Sequence, residues 1–262
     1  MNNKNLINED EIIDGFNKVI KKSDKVIVLY SGLWPFIFNI NFNKKKIPNY
    51  LLEIIEKIVS KKRTLVLPAY SGDLFLKNNK FHIDKSIDRN GLLPLTALKS
   101  KKYYRTPKPL HSYLFFGKHV KDIKYQKFKT SWGKNSVFEW FSKHNARICV
   151  FGVPWHKGCS YLHRYEELKQ VPWRFYKTFK GDLYKNNKKI GKCFEKKYSK
   201  IIGLKYDLSP IVNCINKNKI LKSNSKKFFL ESTTCDEIDK ANIRFFKNDP
   251  WRIIKNKSII KK

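Results

Sequence analysis

Two residues three positions apart, His163 and Glu166, have the types and spacing for acid–base chemistry. They stand in the stretch FGVPWHKGCSYLHRYEE at 151–167, which leaves an apolar segment, crosses a loop marked by glycine and proline, and ends on a short helical signal. A histidine and a carboxylate at this spacing share one helix face, so an imidazole general base can meet the group that orients it. The competing reading is a histidine packed at the edge of the core, since Tyr161, Leu162 and Tyr165 make that face only partly polar. The spacing is not H-E-x-x-H, so no metalloprotease reading follows. Cys159, four residues before His163, invites a Cys–His pair, but a buried, inert thiol is the preferred reading.

Other candidates are scattered. His111 and Ser112 follow a proline-rich bend, yet neighbours in an extended chain point apart and no G-x-S-x-G is present, which argues against a serine nucleophile. A hydrogen-bonding role toward a substrate or thioester carbonyl suits them better. Asp73, in PAYSGDLF at 68–75, is either a substrate-facing carboxylate or an Asx turn after Gly72. His82, His119, His144 and His156 lack ligand spacing, and no metal site is expected.

The elements that must hold these residues follow from periodicity. Apolar residues at helical intervals predict helices over 11–20 and from Pro48 to about 59, each followed by a short β-rich run, 26–30 and 64–67. Helix then buried strand, repeated, predicts an α/β fold with a three-layer core, whose strand-end loops are the usual ligand sites. The segment 68–75 is such a loop, and 76–90 is read as a long polar connection. Further strands are expected at 113–116 and 147–153. A capping pair, Ser136 and Glu139, starts a helix. Beyond Pro172 the pattern changes to a small β element with a turn in 181–190, a helix near Ser209-Pro210, a strand at 226–231 and a helix over 235–245.

Composition bounds the rest. The 262 residues are 41% hydrophobic and 15% aromatic, enough for a sizeable core, while 56 Lys+Arg against 22 Asp+Glu leave a net charge of +34. That charge attracts anions without saying which. Its lysines are spread end to end rather than gathered in a module, so no specific nucleic acid is expected, and at most a peripheral contact with anionic membrane. Five widely spaced cysteines give no disulfide framework and suggest a reducing, cytoplasmic setting; no secretion signal and no long apolar run is seen.

Four segments together carry a resemblance. VIVLYSGL at 26–33 and TLVLPAYS at 64–71 are two strand-to-loop units. Arg89, Gly91 and Pro94 precede RTPKPLHSYLFFG at 105–117. Gly152 leads through SYLHRYEE to VPWRFYK, ending at 177. The chain resembles the bacterial aminoglycoside 3-N-acetyltransferase family over about 24–178, with Lys108 where the family pattern has its first histidine and Leu95 where an acidic residue commonly follows the proline.

The resemblance implies a central mixed sheet in an acyltransferase core, 1–178, with a smaller C-terminal α+β portion, 179–262, packed on it. It implies acyl transfer from acetyl- or another acyl-coenzyme A to a primary amine, without a metal. His163 and Glu166 would be catalytic, Asp73, His111 and Arg89 would face the acceptor, and Ser31, Gly32, Ser71 and Ser112 would receive the coenzyme. Because aminoglycosides are polycations, the charge favours an amino sugar, nucleotide-linked and used in surface-polysaccharide biosynthesis, acted on by a monomer or homodimer. An aminoglycoside acceptor and an inactive basic module binding nucleic acid or lipid are the alternatives.

Overall fold

Alternation along the strands decides the layers. In β1 (Val26–Ser31), Val26, Val28 and Tyr30 join one apolar cluster, while Ile27 and Leu29 join another on the opposite face. The same division runs through β2 (Thr64–Pro68), β5 (Tyr113–Gly117) and β6 (Arg147–Phe151), which are buried on both faces. The computed structural model describes residues 6–34, 36, 46–85 and 90–261. Arg89 and most of the aromatic segment after Trp34 lie outside them.

Seven strands form the main sheet in the order β4-β5-β2-β1-β6-β10-β9, where β4 is Tyr104–Arg105, β9 Leu221–Lys222 and β10 Leu230–Thr234. The sheet is mixed: β1 runs parallel to β2 and β6, whereas β5 and β10 pair antiparallel to β2 and β6. One face is covered by α1 (Glu9–Val19), α2 (Ile47–Val59) and α4 (Leu92–Lys99). The other is covered by α6 (Val137–Lys143) and α10 (Cys235–Asn248), with the short α5 (Val120–Tyr125) and α9 (Ser209–Val212) contributing Ile123 and Ile211 to the same cluster. This is the expected three-layer α/β core.

Four expectations are corrected. Residues 68–75 are not all loop, because α3 (Gly72–Asn78) begins within them, and 76–90 contains β3 (Lys80–His82). The small β element is a long hairpin, β7 (Arg174–Lys185) and β8 (Lys188–Lys200), joined at Asn186 and Asn187. Both asparagines have positive φ, 49° and 63°, as the two central residues of a tight hairpin turn require. The strand expected at 226–231 forms four residues later, as β10. Position 178 falls inside β7, and the C-terminal β9 and β10 complete the main sheet.

Candidate active site

The chain reaches the site from the end of β6. Gly152, at φ 66°, sits so close to the end of β1 that a Cβ there would lie 2.0 Å from the Gly32 carbonyl oxygen; only glycine allows this approach. Beyond it come α7 (Trp155–Gly158), a 3-10 turn (Ser160–His163) and α8 (Arg164–Leu168). His163 ends the turn and Glu166 lies in the first turn of α8.

The structure brings these two together: His163 Nδ1 is 2.5 Å from Glu166 Oε1. The other carboxylate oxygen accepts from Arg174 Nε at 2.7 Å and Trp173 Nε1 at 3.0 Å. Burial alone would push this carboxyl up, but Arg174 and His163 outweigh it and hold the group down at about 2. An ionised carboxylate can only accept, so Nδ1 donates to it, and in the neutral ring the lone pair is on Nε2. Arg174 Nη2, 3.4 Å from the same Nδ1, is the longer contact.

His163 lines a cleft of about 640 Å³ with Trp132, Arg174, Lys197 and Tyr206. Trp132 stacks on the imidazole with centroids 5.1 Å apart, and Tyr206 meets it edge-on at 5.8 Å. The Arg174 guanidinium lies over both of those rings, at 4.5 and 5.0 Å. The imidazole is therefore fixed on one edge by a carboxylate and walled by aromatics, with its other edge available to a reactant in the cleft.

His111 belongs to a second pair. Its Nδ1 is 2.6 Å from Glu195 Oε1, and Glu195 also accepts from the Ser131 hydroxyl at 2.7 Å and from the backbone N–H groups of Leu110 and His111 at 3.0 and 3.1 Å. Burial raises the Glu195 carboxyl, and His111, Lys108 and Ser131 bring it down to about 2. Burial lowers His111, against the pull of Glu195, favouring the neutral ring. The imidazole is boxed by Tyr70 at 5.2 Å and by Trp132 at 5.5 Å, both in edge-on contacts.

The remaining expected residues are dispersed. Ser71 and Ser112 are fully buried; Ser71 Oγ donates to the Pro109 carbonyl at 2.9 Å, and Ser112 donates to Ala69 O while accepting from Arg105 Nε at 3.0 Å. Their hydroxyls brace the loops rather than face solvent. Ser31 and Gly32 stand half-buried at the end of β1, and Asp73 is exposed in the first turn of α3, from where its charge acts on Lys197 of the cleft wall. Burial pushes the Cys159 thiol up to about 12, so it stays protonated. Among the described residues, no group of three or more His, Cys, Asp or Glu could hold a metal, and no helix is long and apolar enough to cross a membrane.

The sequence reading missed Trp132, Arg174, Lys197 and Glu195 as site residues. A signal existed for two of them. Trp173 and Arg174 fall in the VPWRFYK segment, and Glu195 is the one acidic residue in the lysine-rich strand KKIGKCFEKKYSK. An isolated carboxylate in such a strand asks for an internal partner.

The comparisons agree with this architecture. No curated protein matches the chain by sequence. The YokD protein from Bacillus subtilis superposes with a TM-score of 0.71 at 14% identity, covering 92% of this chain and all of its own. Aminoglycoside acetyltransferase AAC(3)-IIb gives 0.74 at 13%, covering 94% and 98%. The binary complex of AAC-IIIb with CoASH gives 0.74 at 12%, covering 95% and 98%. The family model described as aminoglycoside 3-N-acetyltransferase matches residues 43–233. The chain therefore belongs to the aminoglycoside 3-N-acetyltransferase family, enzymes of the acyl-coenzyme A dependent acetyltransferase type.

Proposed function

We propose that the protein transfers an acetyl or short acyl group from acyl-coenzyme A to the primary amine of an amino sugar, with His163 as general base and Glu166 as its orienting carboxylate. The observation that carries this reading is the 2.5 Å contact between His163 and a fully buried Glu166, with the imidazole lining an open cleft. His163 Nε2 takes a proton from the amine as its nitrogen attacks the thioester carbon. Collapse of the tetrahedral intermediate breaks the carbon–sulfur bond, and the imidazolium returns the proton to the departing thiolate. No acyl-enzyme is required, because a neutral amine is already a competent nucleophile.

Ser31 and Gly32, at the end of β1, are the loop positions left for the pantetheine arm. The acceptor we favour is a nucleotide-linked amino sugar of surface-polysaccharide biosynthesis, a choice supported by the net charge of +34. An aminoglycoside acceptor is the second reading, and the family match is what favours it. Thiol release from acetyl-coenzyme A, measured with both acceptor classes on the wild type and on His163→Ala, tests the proposal. Release that survives in His163→Ala removes the base, and release with aminoglycosides alone selects the second acceptor.

A further inference from the structure

The cleft beside His163 is basic: Lys157, Arg174, Lys197, Lys200 and Lys255 line it, against one carboxylate, Asp207. Three of these five cations are already engaged, and Lys157 is exposed to solvent. Arg174 is held by Glu166 and by the Tyr198 carbonyl at 3.1 Å, Lys200 donates to the Leu204 carbonyl at 3.0 Å, and Lys255 reaches Asp207 at 3.4 Å. Lys197 differs. It is half-buried in the cleft wall, yet no hydrogen bond or salt bridge joins its ammonium to another described residue.

Its surroundings favour an outside partner. Burial lowers the Lys197 pKa, Glu195 and Asp73 oppose that, and Arg174 and Lys200 add to it. Glu195 is already occupied by His111, Ser131 and two backbone N–H groups, so it has little left to offer. A partly desolvated ammonium without a hydrogen-bond partner is costly, and an anion supplied by a ligand removes that cost through a charge-assisted hydrogen bond. In β8 the side chains of Glu195, Lys197 and Ser199 fall on one face, and Ser199 also lines the cleft. A phosphate oxygen between Lys197 and Ser199 would thus find both a cation and a hydroxyl.

We infer that Lys197 reads a phosphate carried by the amine acceptor, so that the substrate is an anionic amino compound rather than a polycation. This rests on the acyl-transfer reading. It assigns the phosphate to the acceptor and not to coenzyme A because Ser31 and Gly32, the positions proposed for the pantetheine arm, do not line this cleft.

Calorimetric titration of the full-length protein with inorganic pyrophosphate, with and without saturating coenzyme A, tests it. Pyrophosphate is expected to bind equally well in both conditions, about tenfold more weakly to Lys197→Gln, and near the wild-type level to Lys197→Arg. The Arg variant, with circular dichroism of both, separates loss of charge from loss of fold. Absence of binding, binding unchanged in Lys197→Gln, or displacement by coenzyme A would each overturn the assignment, the last by making this the coenzyme's own phosphate site. Failure of the acyl-transfer reading would show separately, as no thiol release with any amine while pyrophosphate still binds.

Discussion

Two histidine–glutamate pairs share contact with Trp132, built from the same groups and placed in different surroundings. In both, the imidazole Nδ1 meets a fully buried glutamate, at 2.5 Å for His163 and 2.6 Å for His111. Glu166 is balanced by an arginine and an indole N–H, whereas Glu195 has no arginine: besides His111 it has the nearby Lys108 charge, the Ser131 hydroxyl and two backbone N–H groups of the surrounding loops. His163 lines the cleft; His111 is hemmed in by Tyr70 and Trp132. An ionised carboxylate prepares a histidine to act as a base, but access to a reactant decides whether it does. The first pair has the access that the proposed base requires, and the second ties the 110–111 and 131 loops to β8.

The sharpest way to break this comparison is to remove each imidazole. His163→Ala is expected to lower turnover in a thiol-release assay by about 10²- to 10⁴-fold with a nearly unchanged melting temperature. His111→Ala should shift chiefly the melting temperature. If both variants lost turnover equally while staying equally stable, the distinction between base and strut would fail.

The carboxylates should separate the pairs next. Glu195→Ala strands four donors together with the nearby buried Lys108, whose ammonium is caged by the carbonyls of Phe128, Lys129 and Phe194. Urea denaturation should show a loss of about 3–5 kcal/mol, the usual cost of leaving a buried charge uncompensated. Glu166→Gln keeps the shape and most of the contacts. It should cost less stability but lower kcat, because an amide no longer dictates the His163 tautomer.

Acid provides a finer probe. Both glutamates sit at about 2 in the folded protein, below their ordinary value of 4.5. Their ionised forms therefore add stability that is complete above about 4.5 and is lost as pH falls toward about 2. A plot of unfolding free energy against pH should descend across that window by a few kcal/mol, and Glu166→Gln or Glu195→Gln should each flatten part of the descent. An unchanged slope in Glu195→Gln would mean that its carboxyl is not the buried anion described above.

How much of this was legible beforehand depends on the range of each interaction. The strands β1, β2, β5 and β6 could be read from short apolar runs, and His163 with Glu166 from a spacing of three, since both signals are local. Trp132, Arg174 and Glu195 could not be assembled in the same way. They come from a loop and from two strands of a hairpin whose register only the folded chain sets: Arg174 pairs across to Lys200, five positions beyond Glu195. Ser71 and Ser112 show the reverse failure. Serines in strand-end loops suggest ligand contacts, but here the neighbouring carbonyls of Pro109 and Ala69 take their hydroxyls.

The smallest expected effect concerns the ring between the two pairs. Trp132 is positioned by its backbone N–H, which donates to Glu167 at 3.0 Å, and by the neighbouring Ser131 hydroxyl on Glu195. Its indole N–H is buried with no partner among the described residues, so Trp132→Phe removes an unsatisfied donor as well as ring area. These terms oppose one another, and the net change in stability should stay below about 1.5 kcal/mol. Turnover should respond more than stability, because the stacked wall at 5.1 Å is what keeps the His163 ring from tilting about its bond to Glu166. A several-fold fall in kcat with an unchanged melting temperature would assign Trp132 to the His163 pair; a fall in melting temperature alone would assign it to the His111 pair.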